Sequence, residues 1–83
     1  MNQNVLIIDD DPMVQGAIAA FLKEFGFNVQ TASTLAGGRE RVAARSYDAV
    51  IIDQILPDGR GIDLVGELRA MSPDMAIVVI TGA

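Results

Sequence analysis

The fold is decided by residues 5–11, which read Val5-Leu6-Ile7-Ile8-Asp9-Asp10-Asp11. Four consecutive apolar residues, rich in β-branched side chains, are typical of a short strand that is buried on both faces. The run ends abruptly in three carboxylates, so we expect the strand to stop at a polar edge. The stretch therefore predicts the first strand of a sheet that is covered on both sides, with acidic groups at its carboxyl end.

Two later stretches have the same character. Residues 49–52 are apolar and close on Asp53, and residues 76–80 are apolar and lead into Thr81. A weaker strand at residues 28–32 alternates polar and apolar side chains, as a half-exposed edge strand does. The wholly apolar fourth strand is typical of a central position, which predicts a fifth strand and further helices beside it.

Three helical segments separate these strands. Caps and the spacing of apolar residues predict helices at about residues 12–25, 34–45 and 62–71. The first begins with Asp11 as a capping carboxylate and Pro12 at the first helical position. The second contains Gly37-Gly38, which predicts a weak helix. Strands that alternate with helices indicate an α/β fold with a parallel sheet. If the strand order is 2-1-3-4, strands one and three are neighbours.

The amino-acid composition excludes several classes of function. A chain of 83 residues with 51% hydrophobic and 20% charged residues forms one globular domain at most. The absence of cysteine and histidine excludes disulfides, zinc sites and histidine-based catalysis, so any metal must be held by oxygen. A net charge of −5 with scattered bases argues against direct nucleic-acid binding. No apolar run approaches the roughly 18 residues of a membrane span, so we expect a cytoplasmic protein.

Polar side chains follow three of the predicted strands. In an open parallel sheet, ligands bind beyond the carboxyl ends of the strands, where the winding direction reverses. The strand-end residues are Asp9, Asp10, Asp53 and Thr81. Converging carboxylates repel each other unless a cation joins them, and Mg²⁺ suits an all-oxygen site that also holds a phosphoryl group. Asp11 fits a helix cap better than a ligand, and Asp58-Gly59 is typical of a simple turn.

Three motifs together resemble the receiver domain of two-component response regulators, and the resemblance covers essentially the whole chain. The motifs are Val5-Leu6-Ile7-Ile8-Asp9-Asp10-Asp11, Asp53-Gln54-Ile55-Leu56-Pro57-Asp58-Gly59-Arg60-Gly61 and Val78-Val79-Ile80-Thr81-Gly82. The resemblance implies the flavodoxin-like receiver fold, an α/β fold with a doubly wound parallel sheet and the expected strand order 2-1-3-4. It also implies a role in phosphorelay signalling rather than enzymatic turnover.

The resemblance also implies roles for single residues. Asp53 matches the aspartate that accepts a phosphoryl group from a histidine kinase or phosphotransfer protein. Asp9 and Asp10 match the acidic pair that binds Mg²⁺, with Asp10 as the direct ligand and Asp9 acting through water. Asp53 and the backbone carbonyl of Ile55 match further ligands.

Two residues at the end of the chain complete the resemblance. Thr81 matches the switch hydroxyl that hydrogen-bonds the aspartyl phosphate, and Gly82 would leave room for the phosphate. Receivers carry a lysine and an aromatic switch residue on a fifth strand, and neither Lys23 nor Tyr47 occupies those places. We therefore expect residues 1–83 to be a partial receiver, with an output domain beyond them. Metal binding should survive, phosphorylation should be impaired, and the fourth strand could pair with a second copy.

Two alternatives stay open. Asp9 and Asp11 have the Asp-x-Asp spacing of haloacid-dehalogenase-like phosphatases, with Thr81 as their second motif. That interpretation puts Met13 where a threonine is expected and leaves Asp53 unexplained. The other alternative is a docking or dimerisation fragment that performs no phosphotransfer.

Overall fold

The structure is a computed structural model that describes residues 3–81, and its framework is a parallel sheet flanked by helices. In chain order the elements are β1 (Asn4–Ile8), α1 (Pro12–Glu24), β2 (Asn28–Ala32), α2 (Leu35–Ala44), β3 (Ala49–Asp53), β4 (Ile55–Leu56), β5 (Gly59–Arg60), α3 (Ile62–Met71) and β6 (Ala76–Ile80). Every predicted helix and strand is present within about a residue of its expected ends. The short antiparallel hairpin of β4 and β5 was not predicted, because two-residue strands have no periodicity to detect.

The main sheet has the order β2-β1-β3-β6 and all of its neighbours are parallel. Since β6 is the fourth strand of this sheet, the predicted order 2-1-3-4 and the doubly wound α/β class are confirmed. β1 lies between β2 and β3, so that Ile7 is aligned with Thr31 on one side and Ile51 on the other. The predicted edge position of β2 is also confirmed.

The two faces of β1 contact different helices. Leu6 and Ile8 are fully buried in a core that includes Leu64 and Leu68 of α3 and Leu35 of α2. Ile7 is also fully buried, and because side chains alternate along a strand it faces the other side of the sheet, where α1 packs. The continuously apolar run at the start of the chain is thereby explained, since both of its faces are covered.

The predicted fourth strand, β6, lies at an edge of the sheet that the described residues form. Its sheet neighbour there is β3, and Val78 is 49% exposed. On α1, Phe21 and Phe25 are likewise exposed, with their ring centroids 5.0 Å apart. Apolar surface therefore remains uncovered by residues 3–81 at β6 and along α1.

Two glycines allow elements to approach closely. Gly38 is buried in α2, and a Cβ atom there would lie 2.5 Å from Cδ1 of Ile8. Gly61 is buried before α3, and a Cβ atom there would collide with the backbone carbonyl oxygen of Asp53. The glycine pair that predicted a weak second helix thus has a packing reason, because Gly38 lets α2 lie directly on β1.

Gly61→Ala should therefore lower the free energy of unfolding by about 2 kcal/mol, the usual size of an overpacking effect. Gly66→Ala is the matched control, because Gly66 lies exposed in α3 and has nothing within 4 Å of its Cβ position. Alanine there should stabilise the helix by about 0.5–1 kcal/mol. Urea titrations followed by circular dichroism would measure both. Equal stabilisation by the two substitutions would contradict the close approach of α3 to Asp53.

Candidate functional site

Asp9 follows β1 directly and is the most enclosed of the acidic side chains. It is 2% exposed, and its backbone N–H continues the sheet by donating to the carbonyl oxygen of Ala32 at 3.0 Å. Its carboxylate accepts a hydrogen bond from the backbone N–H of Asp11 at 2.9 Å. The side chain is thus held at the carboxyl end of the sheet by local backbone.

Gln15 of α1 also holds the backbone at Asp9. Its side-chain amide donates to the backbone carbonyl oxygens of Asp9 at 2.9 Å and Ala32 at 3.1 Å. The acidic loop is therefore tied to the ends of β1 and β2 together. Sequence reasoning missed this residue, because its partners are backbone carbonyls of two separate strands and no sequence motif marks them.

Three carboxylates converge at this edge of the sheet. One oxygen from each of Asp9, Asp10 and Asp53 lies within 4.8 Å of the others. The convergence follows from the pairing of β1 with β3, which aligns Ile8 with Ile52 and so puts both strand ends side by side. The predicted meeting of the acidic run with Asp53 is confirmed. A cluster of carboxylate oxygens is the donor set that a hard divalent cation such as Mg²⁺ prefers.

The cluster is electrostatically unfavourable by itself. Burial raises the pKa of the Asp9 carboxyl above its ordinary value, the hydrogen bond from Asp11 acts in the opposite direction, and the negative charges of Asp53 and Asp10 add to the rise. A bound cation would remove this penalty. The acidic edge of the sheet is therefore suited to an ion.

Asp11 serves as the predicted helix cap. Its backbone is extended and its carboxylate accepts a hydrogen bond from the backbone N–H of Met13 at 2.9 Å. Pro12 occupies the first helical position, where its missing N–H is not needed. The prediction that this third aspartate starts α1 is confirmed.

A cleft of about 210 Å³ opens beside the carboxylates and brings Thr81 to the same place. It is lined by Asp9, Asp11, Val14, Asp53, Ile80 and Thr81. Thr81 directly follows β6, where Ile80 is aligned with Asp53. The structure thus brings Thr81 together with Asp9 and Asp53. Gly82 lies outside the described residues, so its role stays a prediction.

The segment after Asp53 is held by several polar contacts. The carboxylate of Asp53 accepts a hydrogen bond from the backbone N–H of Ile55 at 3.2 Å. The side-chain oxygen of Gln54 accepts one from the backbone N–H of Ile62 at 3.0 Å. Gln54 therefore caps α3, which begins after a glycine that has no capping side chain of its own. The predicted role of the Ile55 carbonyl as a metal ligand stays a prediction.

Asp58 has a larger role than the predicted turn. Its two carboxylate oxygens accept hydrogen bonds from the backbone N–H groups of Leu35 at 2.8 Å and Ala36 at 3.0 Å. These bonds lower the pKa of the Asp58 carboxyl below its ordinary value. A residue of the β3–α3 segment thus caps α2, a contact that sequence reasoning missed because the partners are far apart in the chain.

The doubly wound parallel sheet, with an acidic cluster at its switch point, agrees with the receiver domain that the sequence resembles. The family model of the response regulator receiver domain matches residues 5–83. The chain therefore belongs to the response regulator receiver domain family.

Relatives of known identity support the same family. The photosynthetic apparatus regulatory protein RegA of Rhodovulum sulfidophilum is 38% identical over 79 residues, which cover 95% of this chain and 43% of RegA. Among solved structures, the MaeR response regulator bound to beryllium trifluoride is 36% identical with a TM-score of 0.87, over 100% of this chain and 69% of that one. Response regulator TrrA of Thermotoga maritima, in complex with Mg²⁺ and BeF, is 27% identical with a TM-score of 0.90, over 98% and 70%.

The chain thus spans less than half the length of RegA. Among the residues that the structure describes, no helix is long and apolar enough to cross a bilayer.

The strain at Asp9 can be tested with Asp9→Asn, which removes the buried charge and keeps an acceptor for the N–H of Asp11. Without Mg²⁺ the free energy of unfolding should rise at pH 7, because the substitution removes a charge that burial and the neighbouring carboxylates disfavour. The gain should shrink near pH 4. A raised pKa means that the wild-type penalty exists above the folded-state pKa and disappears as protons bind.

Urea titrations at the two pH values would measure this effect. Asp74→Asn serves as the matched control, because Asp74 lies exposed before β6 and should respond little at either pH. A lower stability of Asp9→Asn at pH 7 would contradict the electrostatic account of the cluster.

Proposed function

We propose that this chain is the phosphoacceptor part of a response regulator. Asp53 would take a phosphoryl group from a histidine kinase or phosphotransfer protein, and the resulting change would control an output domain outside this chain. The observation that carries the proposal is the meeting of Asp9, Asp10 and Asp53 within 4.8 Å, beside a cleft that Thr81 also lines. It would act in the cytoplasm as a signalling domain, without turnover of a substrate.

The accessibility of the carboxylates supports the assignment of the nucleophile. Asp9 is 2% exposed, whereas Asp53 is half-buried and lines the cleft. A donor can therefore reach an oxygen of Asp53 more easily than one of Asp9. As the new P–O bond forms, the P–N bond of the phosphohistidine would break, and its electron pair would return to the imidazole nitrogen.

The donor set fits Mg²⁺. In the proposed arrangement Asp10, Asp53 and the backbone carbonyl of Ile55 hold the ion, and Asp9 acts through water. When bound, the ion would neutralise negative charge on the phosphoryl oxygens during the transfer. The complex of TrrA with Mg²⁺ and BeF supports this choice of metal. The protein would contribute to the reaction by holding the metal-binding oxygens in place before the donor arrives.

The hydroxyl of Thr81 would then hydrogen-bond the phosphoryl group, and Gly82 would leave room for it. Lys23 cannot supply the positive charge that receivers carry at this site, because it lines a groove with Asn4, at the amino end of the sheet. Tyr47 is buried and its hydroxyl donates to the side chain of Gln30. Phosphorylation of this chain alone should consequently be slow.

The docking alternative is favoured by one observation, the edge position of β6 with Val78 at 49% exposure. An apolar edge strand can pair with a second copy of the chain. The phosphatase alternative loses support, because Asp11, its second aspartate, is engaged in capping α1. It also leaves Asp53, a member of the acidic cluster, without a function.

The proposal is tested by the intact mass of the chain after incubation with a small-molecule phosphodonor. We expect one phosphoryl adduct that requires Mg²⁺, disappears with a chelator and is absent from Asp53→Asn. Asp74→Asn removes an exposed carboxyl away from the cluster and should leave the adduct unchanged.

Two outcomes would contradict the proposal. An adduct that persists in Asp53→Asn and disappears in Asp9→Asn would identify the phosphatase-like nucleophile. Absence of any adduct from a chain with a folded circular dichroism spectrum would favour the docking fragment. Sedimentation of that chain would then show whether it forms a dimer through β6.

A further inference from the structure

We propose that Asp58 is a positioning residue, which caps α2 and thereby holds the segment that presents Ile55 to the acidic site. The inference rests on the proposed function, because it concerns the same Mg²⁺ site. Asp58 does not touch the cluster of Asp9, Asp10 and Asp53. It would act through the segment between β3 and α3, which connects it to Asp53.

Asp58 completes the amino terminus of α2. The first helical N–H groups of α2 belong to Leu35, Ala36 and Gly37, and helix geometry leaves such groups without partners inside the helix. The local cap Thr34 satisfies Gly37 alone, with its hydroxyl oxygen 2.9 Å from that nitrogen. Asp58 satisfies the other two. Its negative charge also lies at the positive end of the helix dipole, where an anion is favoured.

A second contact joins α2 to the segment between β3 and α3. Gly59 has a φ of +149°, and a Cβ atom built on it would lie 2.7 Å from Cδ1 of Leu35. Leu35 is buried, at 3% exposure. One residue of α2 therefore contacts the segment twice, through its N–H to Asp58 and through its side chain to Gly59. The tip of the segment is consequently fixed relative to α2.

The hairpin transmits this position to the acidic site. β4 and β5 pair so that Ile55 is aligned with Arg60 and Leu56 with Gly59, and Asp58 lies in the connection between them. The side chain of Ile55 is 68% exposed, so its own packing does little to hold it. Its N–H nevertheless bonds the carboxylate of Asp53. Ile55 is therefore placed by the hairpin, which is anchored by buried Leu56 on one side and by Asp58 on the other.

The experiment compares Mg²⁺ binding by the wild-type chain, Asp58→Ala and Asp58→Asn. Titration with MgCl₂ would be followed by the backbone amide NMR signals of Asp53 and Ile55. We expect the dissociation constant to rise about 10-fold in Asp58→Ala, the lower end of the usual effect of residues that support metal ligands. Asparagine keeps one acceptor oxygen, so the dissociation constant of Asp58→Asn should lie between those of the wild-type chain and Asp58→Ala.

Glu67→Gln is the matched control. Glu67 receives two hydrogen bonds from Arg39, at 3.0 and 3.1 Å, and so joins α3 to α2 through an exposed ion pair that does not cap α2. Loss of this ion pair should leave the Mg²⁺ dissociation constant within about 2-fold of wild type, since exposed ion pairs contribute little. The amide signals of Leu35 and Ala36 should shift in both Asp58 variants and stay in place in Glu67→Gln.

Three outcomes would overturn the inference. Unchanged Mg²⁺ affinity in Asp58→Ala, with shifted Leu35 and Ala36 signals, would reduce Asp58 to a cap without influence on the site. An equal loss of affinity in Glu67→Gln would indicate general loosening of α2. A wild-type chain that binds no Mg²⁺ would instead remove the proposed function, and the inference with it. If Asp58→Ala does not fold, the comparison of Asp58→Asn with wild type decides.

Discussion

The parallel pairing of β1 with β3 is the constraint on which the rest of the molecule depends. It aligns Ile8 with Ile52, and both side chains are fully buried. Burial of each such side chain contributes roughly 1.5–3 kcal/mol. Several of them together outweigh the repulsion that results when Asp9 and Asp53 are brought side by side. The apolar strands thus bring an unfavourable cluster of negative charges together at the carboxyl edge of the sheet.

Much of this arrangement could be predicted from the sequence, because its causes are local. An apolar run that stops at a carboxylate marks a buried strand and also the end at which a ligand would bind. The alternating residues of β2 indicated an edge strand, and the Asp11-Pro12 pair indicated the start of α1. The meeting of Asp9 with Asp53 then followed from strand order alone, since parallel strands end at one edge of the sheet.

The side-chain contacts of the segments around the cluster could not be predicted in the same way. Gln15, Gln54 and Asp58 all bond to backbone groups, and a backbone group leaves no mark in a sequence. The packing role of Gly38 could not be predicted either. Helix propensity disfavours glycine, and the close approach of Ile8 is visible only in the folded structure. Sequence patterns therefore identified the converging carboxylates but not the polar contacts of the segments around them.

The short segment between Asp53 and Gly61 bonds to the first turns of two different helices. Gln54 contacts α3 near the start of the segment and Asp58 contacts α2 five residues after Asp53. Surface connections generally tolerate insertions and deletions. This one should not, because the gain or loss of a single residue would shift one capping side chain relative to the other. Its length is thus constrained as strictly as the identity of its residues.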